Sequence, residues 1–169
     1  MQQLLFSSPP ATQESNHHKS RWKLFIDGAS RNNPGPAGAG VCLFKDNESV
    51  LQKGCFLGTK TNNQAEYLAL LLGIFYLKKN VTPGDQIQII SDSQLLIRQL
   101  QGVYRVKNET IRALYLLAQT MLRGIPCEFH HVLRDENKDA DKMANLGVDK
   151  KTALPAEFIQ LLQSYEIPL

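Results

Sequence analysis

The sequence predicts an α/β domain on a five-stranded mixed sheet, antiparallel at one side and parallel at the other, flanked by helices. Three observations carry this expectation. The first third of the chain holds three runs with strand patterning and no helix. From residue 61 onward helical runs alternate with short apolar strands. The chain has 169 residues, 43% hydrophobic and 21% charged, with 11 Gly and 8 Pro, which is the size and make-up of one globular domain. A β-meander pairs its strands antiparallel, whereas strands joined through helices pair in parallel.

Residues 1–20 are polar and rich in Ser, Gln and Pro, without periodicity. They are expected to form a mobile arm, with the domain occupying 21–149. RWKLFIDGAS alternates Trp22, Leu24 and Ile26 with Lys23, Phe25 and Asp27, the period of a strand. RNNPGPAG is a turn cluster. AGVCLFK and SVLQKGCFLG, joined by Asp46-Asn47-Glu48, make a hairpin. Thr61 and Gln64 fit a capping box opening a helix that runs to Lys79 and stops before V-T-P-G-D. Its body is apolar nearly all round, so it is buried. Ile87–Ile90 is a strand and Ser93–Leu100 a helix; Asn108 caps another helix ending at Gly124. Cys127–Leu133 is the fifth strand and Asp139–Gly147 the last clear helix. In the tail, 150–169, Phe158, Leu161 and Leu162 stand at helical spacing, which predicts a short helix packed on the domain.

Several classes are excluded. The longest apolar run, Tyr67–Leu77, is far short of the about 20 residues that span a bilayer, so no membrane association is expected. The N-terminus lacks the basic and apolar regions of a secretory signal. Cys42, Cys55 and Cys127 are an odd, widely spaced set without CxxC. They are expected to be buried free thiols in the cytoplasm rather than a disulfide framework or a zinc site. The net charge of +3 would grow if several acids were neutralised by bound cations, leaving a surface suited to a polyanion.

Four acids occupy awkward places. Asp27 ends an apolar strand, and Asp92 follows the apolar strand Ile-Gln-Ile-Ile-Ser. Glu66 and Asp141 lie in the opening turns of helices. Each has an ordinary alternative: a turn-forming Asp27, a solvent-facing Glu66, Asp92 as a helix cap, Asp141 as a helix-dipole charge. Strand ends and helix starts can nevertheless bring all four to one sheet edge. Such a cluster stays ionised only with cations, and oxygen ligands select Mg²⁺ or Mn²⁺ over zinc. A pair of such ions suits in-line attack of water on a phosphodiester.

FIDGAS, TNNQAEY, SDSQLLIRQL and HVLRDENKDADKMAN, in this order, resemble the successive signature segments of type 1 ribonuclease H. The resemblance covers residues 23–147. It implies the ribonuclease H fold and hydrolysis of the RNA strand of RNA–DNA hybrids, leaving 5′-phosphate and 3′-hydroxyl ends. It implies a metal-binding quartet of Asp27, Glu66, Asp92 and Asp141 holding two Mg²⁺ ions, with Mn²⁺ as a substitute. In that quartet Asp27 bridges the ions, Asp141 holds the one that activates water, and Glu66 and Asp92 hold the other. Arg134 and His131 are implied as further catalytic residues; His131 has a plain strand role as its alternative, because the family's glycine-containing loop around that histidine is absent here. Asn33, Asn62, Asn63, Gln94 and Asn137 are implied as substrate contacts, and amides suit a 2′-hydroxyl because both carry donor and acceptor groups.

Some members insert a basic, Trp-containing protrusion where only GVYRVKNET joins two helices here. This chain thus resembles the handle-less bacterial and archaeal members, for which RNA–RNA duplexes are a further expected substrate. A monomer is expected. The alternatives are a catalytically inactive nucleic-acid-binding module of the same fold, which would be expected to have lost a carboxylate, and a retroelement-derived ribonuclease H domain.

Overall fold

The computed structural model describes residues 19–169; the expected N-terminal arm lies almost wholly outside them. The chain forms strands β1 (Arg21–Ser30), β2 (Gly35–Lys45), β3 (Glu48–Lys60), β4 (Gln86–Ser91) and β5 (Cys127–His131). The helices are α1 (Asn62–Lys78), α2 (Gln94–Leu100), α3 (Glu109–Leu122), α4 (Lys138–Lys150) and α5 (Ala156–Ser164). The sheet order is β3-β2-β1-β4-β5, with β1–β2 and β2–β3 antiparallel and β1–β4 and β4–β5 parallel. The mixed sheet expected from the sequence is therefore present.

Local chemistry explains the elements. Asp46 and Asn47 turn the β2–β3 hairpin with φ of 50° and 70°, a conformation these short polar residues tolerate. The capping box of α1 is formed: Gln64 N donates to Thr61 Oγ1 at 3.2 Å and Thr61 N to Gln64 Oε1 at 2.8 Å. β2 begins at Gly35, inside the stretch expected to be a turn. The reason is packing. A Cβ on Gly38 would stand 2.2 Å from the Ala144 carbonyl oxygen, and one on Gly40 2.0 Å from that of Ala140. These glycines are a strand surface on which the α4 backbone rests. β5 is shorter than expected, ending at His131, and a short 3₁₀ turn (Arg134–Glu136) leads into α4.

Gly40 pairs with Asp27 and approaches α4, whereas the next β1 residue, Gly28, approaches α1. Successive strand residues face opposite sides, so the two helices cover opposite faces of the sheet. The core gathers Leu24, Ile26, Val41, Leu43, Ile89 and the apolar body of α1. Phe158 and Leu162 of α5 are fully buried in it, Phe158 lying 5.5 Å from the Phe75 ring. Cys42 and Cys55 are buried thiols, as expected; Cys127, on the edge strand β5, is only half-buried. Among the described residues no helix is long and apolar enough to cross a membrane.

Candidate active site

Parallel pairing of β1 with β4 brings the C-terminal ends of both strands to the same edge. Phe25 is level with Ile90, so Asp27 and Asp92, each two residues further on, emerge side by side. Asp92 is free to do so because Ser93, not Asp92, caps α2: Leu96 N donates to Ser93 Oγ at 3.3 Å. Glu66 arrives from α1. Gly28 makes its approach possible, since a Cβ there would lie 2.2 Å from Ala65 C and Glu66 N. Carboxylate oxygens of Asp27, Glu66 and Asp92 then lie within 4.8 Å of one another.

Asp141, in the first turn of α4, is not part of this close trio. Its Oδ1 accepts a hydrogen bond from Arg134 Nη2 at 3.2 Å, with the arginine side chain 80% exposed. Asp141 is still near enough to oppose the ionisation of Asp27. Among the described residues no lysine or arginine forms a salt bridge with Asp27, Glu66 or Asp92.

The electrostatic consequence is large. Asp27 is 6% exposed, and its carboxyl is pushed up to about 7, first by burial and then by Asp92 and Asp141; Arg134 and the Gly28 N–H pull the other way. Burial, reinforced by Asp27 and Asp92, drives Glu66 well above the usual carboxylate range. Glu66 Oε2 is buried without any hydrogen-bond partner. An orphaned carboxylate oxygen beside two more carboxylates, with no basic partner, is the donor set a hard divalent cation requires. The residues fit such an ion.

A pH effect follows. Asp27 takes up its proton at about 7 in the folded chain and near 3.8 when unfolded. The folded, metal-free protein therefore binds more protons between those values, and stability is lost as pH rises through 7. In chelator the Tm is expected to fall from pH 5 to pH 8, and Mg²⁺ to reverse the loss at pH 8, because a bound cation replaces the protons. Thermal unfolding at both pH values, with and without Mg²⁺, checks this; equal Mg²⁺ effects at both pH values would contradict it.

The remaining expected residues are distributed around the trio. His131 is exposed on β5, its Nε2 3.2 Å from the Asp92 carbonyl oxygen. Asn33 Oδ1 accepts from the Asn62 N–H at 2.9 Å, tying the β1–β2 turn to the start of α1. Asn62, Asn63 and Gln94 are exposed around the acids. Asn137 departs from expectation: it is 1% exposed and bonded inside the protein, so it is not an accessible substrate contact. Beside Glu66 a cleft is lined by Asn63, Ser93, Arg105, Lys107 and Asn108. Asn108 was legible in sequence only as a helix cap, and Gly28 only as part of a motif.

Asp27 does not end its strand as expected, since β1 continues to Ser30 beside β2; it lies where the pairing of β1 with β4 stops, next to Asp92 just past the end of β4. Acidic side chains so placed on a β3-β2-β1-β4-β5 mixed sheet define the ribonuclease H-like class of α/β proteins. Comparison with known proteins narrows this. The family described as Reverse transcriptase-like matches residues 25–147. The chain is 38% identical over 132 residues to ribonuclease HI of Halobacterium salinarum, the match covering 76% of this chain and 65% of that protein. A bifunctional protein of Mycobacterium tuberculosis is 36% identical over 128 residues, covering 73% of this chain and 34% of that one. The chain thus spans about two thirds or less of these relatives. The crystal structure of RNase H1 from Halobacterium salinarum superposes with a TM-score of 0.73 at 36% identity, covering 77% of this chain and 98% of that one. LC11-RNase H1 in complex with an RNA/DNA hybrid gives 0.71 at 32% identity, covering 78% and 98%. The chain belongs to the type 1 ribonuclease H family.

Proposed function

We propose that this protein is an endonuclease that hydrolyses the RNA strand of RNA–DNA hybrids, using two divalent cations, Mg²⁺ or Mn²⁺. The observation that carries the reading is the trio of Asp27, Glu66 and Asp92, gathered within 4.8 Å with an orphaned Glu66 oxygen and no basic partner. Similarity to an enzyme solved with an RNA/DNA hybrid supports the choice of substrate.

Asp27, Glu66 and Asp92 would hold one ion, and Asp27 with Asp141 the other. When bound, the cations supply positive charge where water attacks phosphorus and where the 3′ oxygen departs, leaving 5′-phosphate and 3′-hydroxyl ends. Asp27, 6% exposed and fixed within β1, would contribute a carboxylate oxygen to each ion. Arg134 extends from the site edge with its guanidinium in solvent, where a bidentate contact to a phosphate is available. Asn33, Asn62, Asn63 and Gln94 ring the acids and recognise ribose 2′-hydroxyls, donating to and accepting from them. Arg105 and Lys107 line the cleft beside Glu66 and neutralise backbone phosphates. His131, exposed beside Asp92, stands where it can exchange a proton with a departing product. RNA–RNA duplexes are a further substrate in this reading.

The test is cleavage of four labelled substrates (RNA–DNA hybrid, RNA duplex, DNA duplex and single-stranded RNA) by the wild type and by Asp92→Asn, with Mg²⁺, Mn²⁺ or chelator. Metal-dependent cutting of the hybrid's RNA strand, lost in Asp92→Asn while hybrid binding persists, is expected. Hybrid binding without cutting in any metal would instead establish an inactive binding module. Arg134→Ala is expected to slow turnover about tenfold with a Tm change under about 2 °C, because an exposed side chain stabilises the fold little; unchanged kinetics would reduce Arg134 to surface charge.

A further inference from the structure

We propose that Asn137 is a positioning residue that holds the cation-binding carboxylates in register, acting through Asp92 rather than on the substrate. The inference rests on the metal-dependent reading above and adds a role to a residue that lies between the acids. The Asn137 amide nitrogen donates to the Ile26 carbonyl at 2.9 Å and to Asp92 Oδ1 at 3.1 Å. Ile26 immediately precedes Asp27 in β1. The Asn137 backbone carbonyl in turn accepts from the Asp141 N–H at 3.1 Å. One residue, at the junction of the 3₁₀ turn and α4, therefore ties the β1 backbone beside Asp27, the Asp92 side chain and the turn that carries Asp141.

The orientation of this amide is fixed by its surroundings. Both groups facing Nδ2 are acceptors, and turning the amide over would set Oδ1 against a carbonyl and a carboxylate. Oδ1 itself is buried with no partner. An unpaired buried acceptor is a cost to folding, so packing alone does not favour asparagine at this position. What asparagine provides is an NH₂ group with two donors that can satisfy a backbone carbonyl and a carboxylate at once. Aspartate, the nearest isostere, would place oxygen against both acceptors. With one Asp92 oxygen held by this donor, the side chain is restrained while its second oxygen stays available to a cation. At 1% exposure Asn137 does not reach the hybrid.

Mg²⁺ affinity, measured by calorimetry without nucleic acid, tests the proposal directly. Asn137→Ala is expected to weaken Mg²⁺ binding about 10–100-fold, the usual effect of removing a group that orients a metal ligand. Hybrid affinity in chelator should be unchanged, and the kcat lost at low Mg²⁺ should be largely recovered at high Mg²⁺ with KM for the hybrid unaltered. Asn137→Asp should be worse than Asn137→Ala. In an Asp92→Asn background the alanine substitution should weaken Mg²⁺ less than about twofold further, because the two residues act as a unit. Unchanged Mg²⁺ affinity with a lowered Tm would overturn the proposal in favour of a purely structural residue; altered hybrid affinity with unchanged Mg²⁺ affinity would make Asn137 a substrate contact. Should the variants fail to fold, ¹⁵N spectra of the wild type decide. The Asn137 side-chain amide should shift as Mg²⁺ is titrated, and no movement at saturation overturns the proposal. Wild type that binds Mg²⁺ yet leaves the hybrid intact would refute the proposed activity and not the role of Asn137.

Discussion

Asp27→Asn is expected to lower metal-dependent cleavage of the hybrid by about 10³-fold or more, while raising the Tm of the metal-free protein at pH 8. The two effects share one cause. Asp27 is buried beside Asp92 and Asp141, and its carboxyl is pushed up to about 7 because burial and these two neighbours outweigh the opposing pull of Arg134 and the Gly28 N–H. Asparagine keeps the shape and removes the charge, so the metal-free fold no longer holds repelling carboxylates together at alkaline pH. A cation, by contrast, loses its central anionic ligand. A 10³-fold loss corresponds to about 4 kcal/mol of transition-state stabilisation, a magnitude typical of removing one essential electrostatic group. At pH 5, where Asp27 is protonated in the folded chain, the Tm gain should be clearly smaller. Cleavage rates and melting curves at both pH values check this. A lowered Tm at pH 8 would mean that Asp27 is a structural acid with an overlooked partner.

Gly28→Ala is expected to damage fold and site together. The added Cβ would meet Ala65 C and Glu66 N at 2.2 Å, and both are backbone atoms inside the start of α1, which cannot swing aside as a side chain can. The strand and helix must separate, which costs about 3 kcal/mol or more, at the upper end of overpacking effects. For a chain of this length the Tm should drop by roughly 6–12 °C. Because the displaced turn carries Glu66, Mg²⁺ affinity should fall as well, even in variant protein that is fully folded at low temperature. Circular dichroism melting and Mg²⁺ calorimetry at 10 °C measure the two consequences; a Tm within 1 °C of wild type would show that α1 yields without cost.

Much of this was legible in the sequence where local chemistry was decisive. Asp27 and Asp92 were conspicuous because aspartate is a poor strand residue, and the Thr61–Gln64 box marked the start of α1 by its own hydrogen-bonding capacity. Other features depended on contacts far along the chain. Gly35 to Gly40 carries the Gly and Pro of a turn, yet all of it is strand, and the missing side chains of Gly38 and Gly40 admit the α4 backbone. Asp92 and Ser93 are both good helix caps, and only the structure decides that Ser93 takes the task and leaves Asp92 free. Asn137 looked like a polar residue near the substrate. Its burial comes from the way α4 returns to β1, across 111 positions of sequence, which no local pattern records. Asp141 stands apart from the close trio and accepts a hydrogen bond from Arg134, a side-chain contact that spacing in the sequence does not record.

The most direct test of the metal-dependent hybrid nuclease is a single-turnover experiment on a preformed complex. Protein in excess is bound to a hybrid with its RNA and DNA strands separately labelled, in chelator, and Mg²⁺ is then added. Before Mg²⁺, both strands should remain intact and bound. After it, the RNA strand alone should break into fragments with 5′-phosphate and 3′-hydroxyl ends, at a rate that rises with Mg²⁺. RNA cut in chelator, DNA cut alongside RNA, or a complex that stays whole in saturating Mg²⁺ and Mn²⁺ would contradict it.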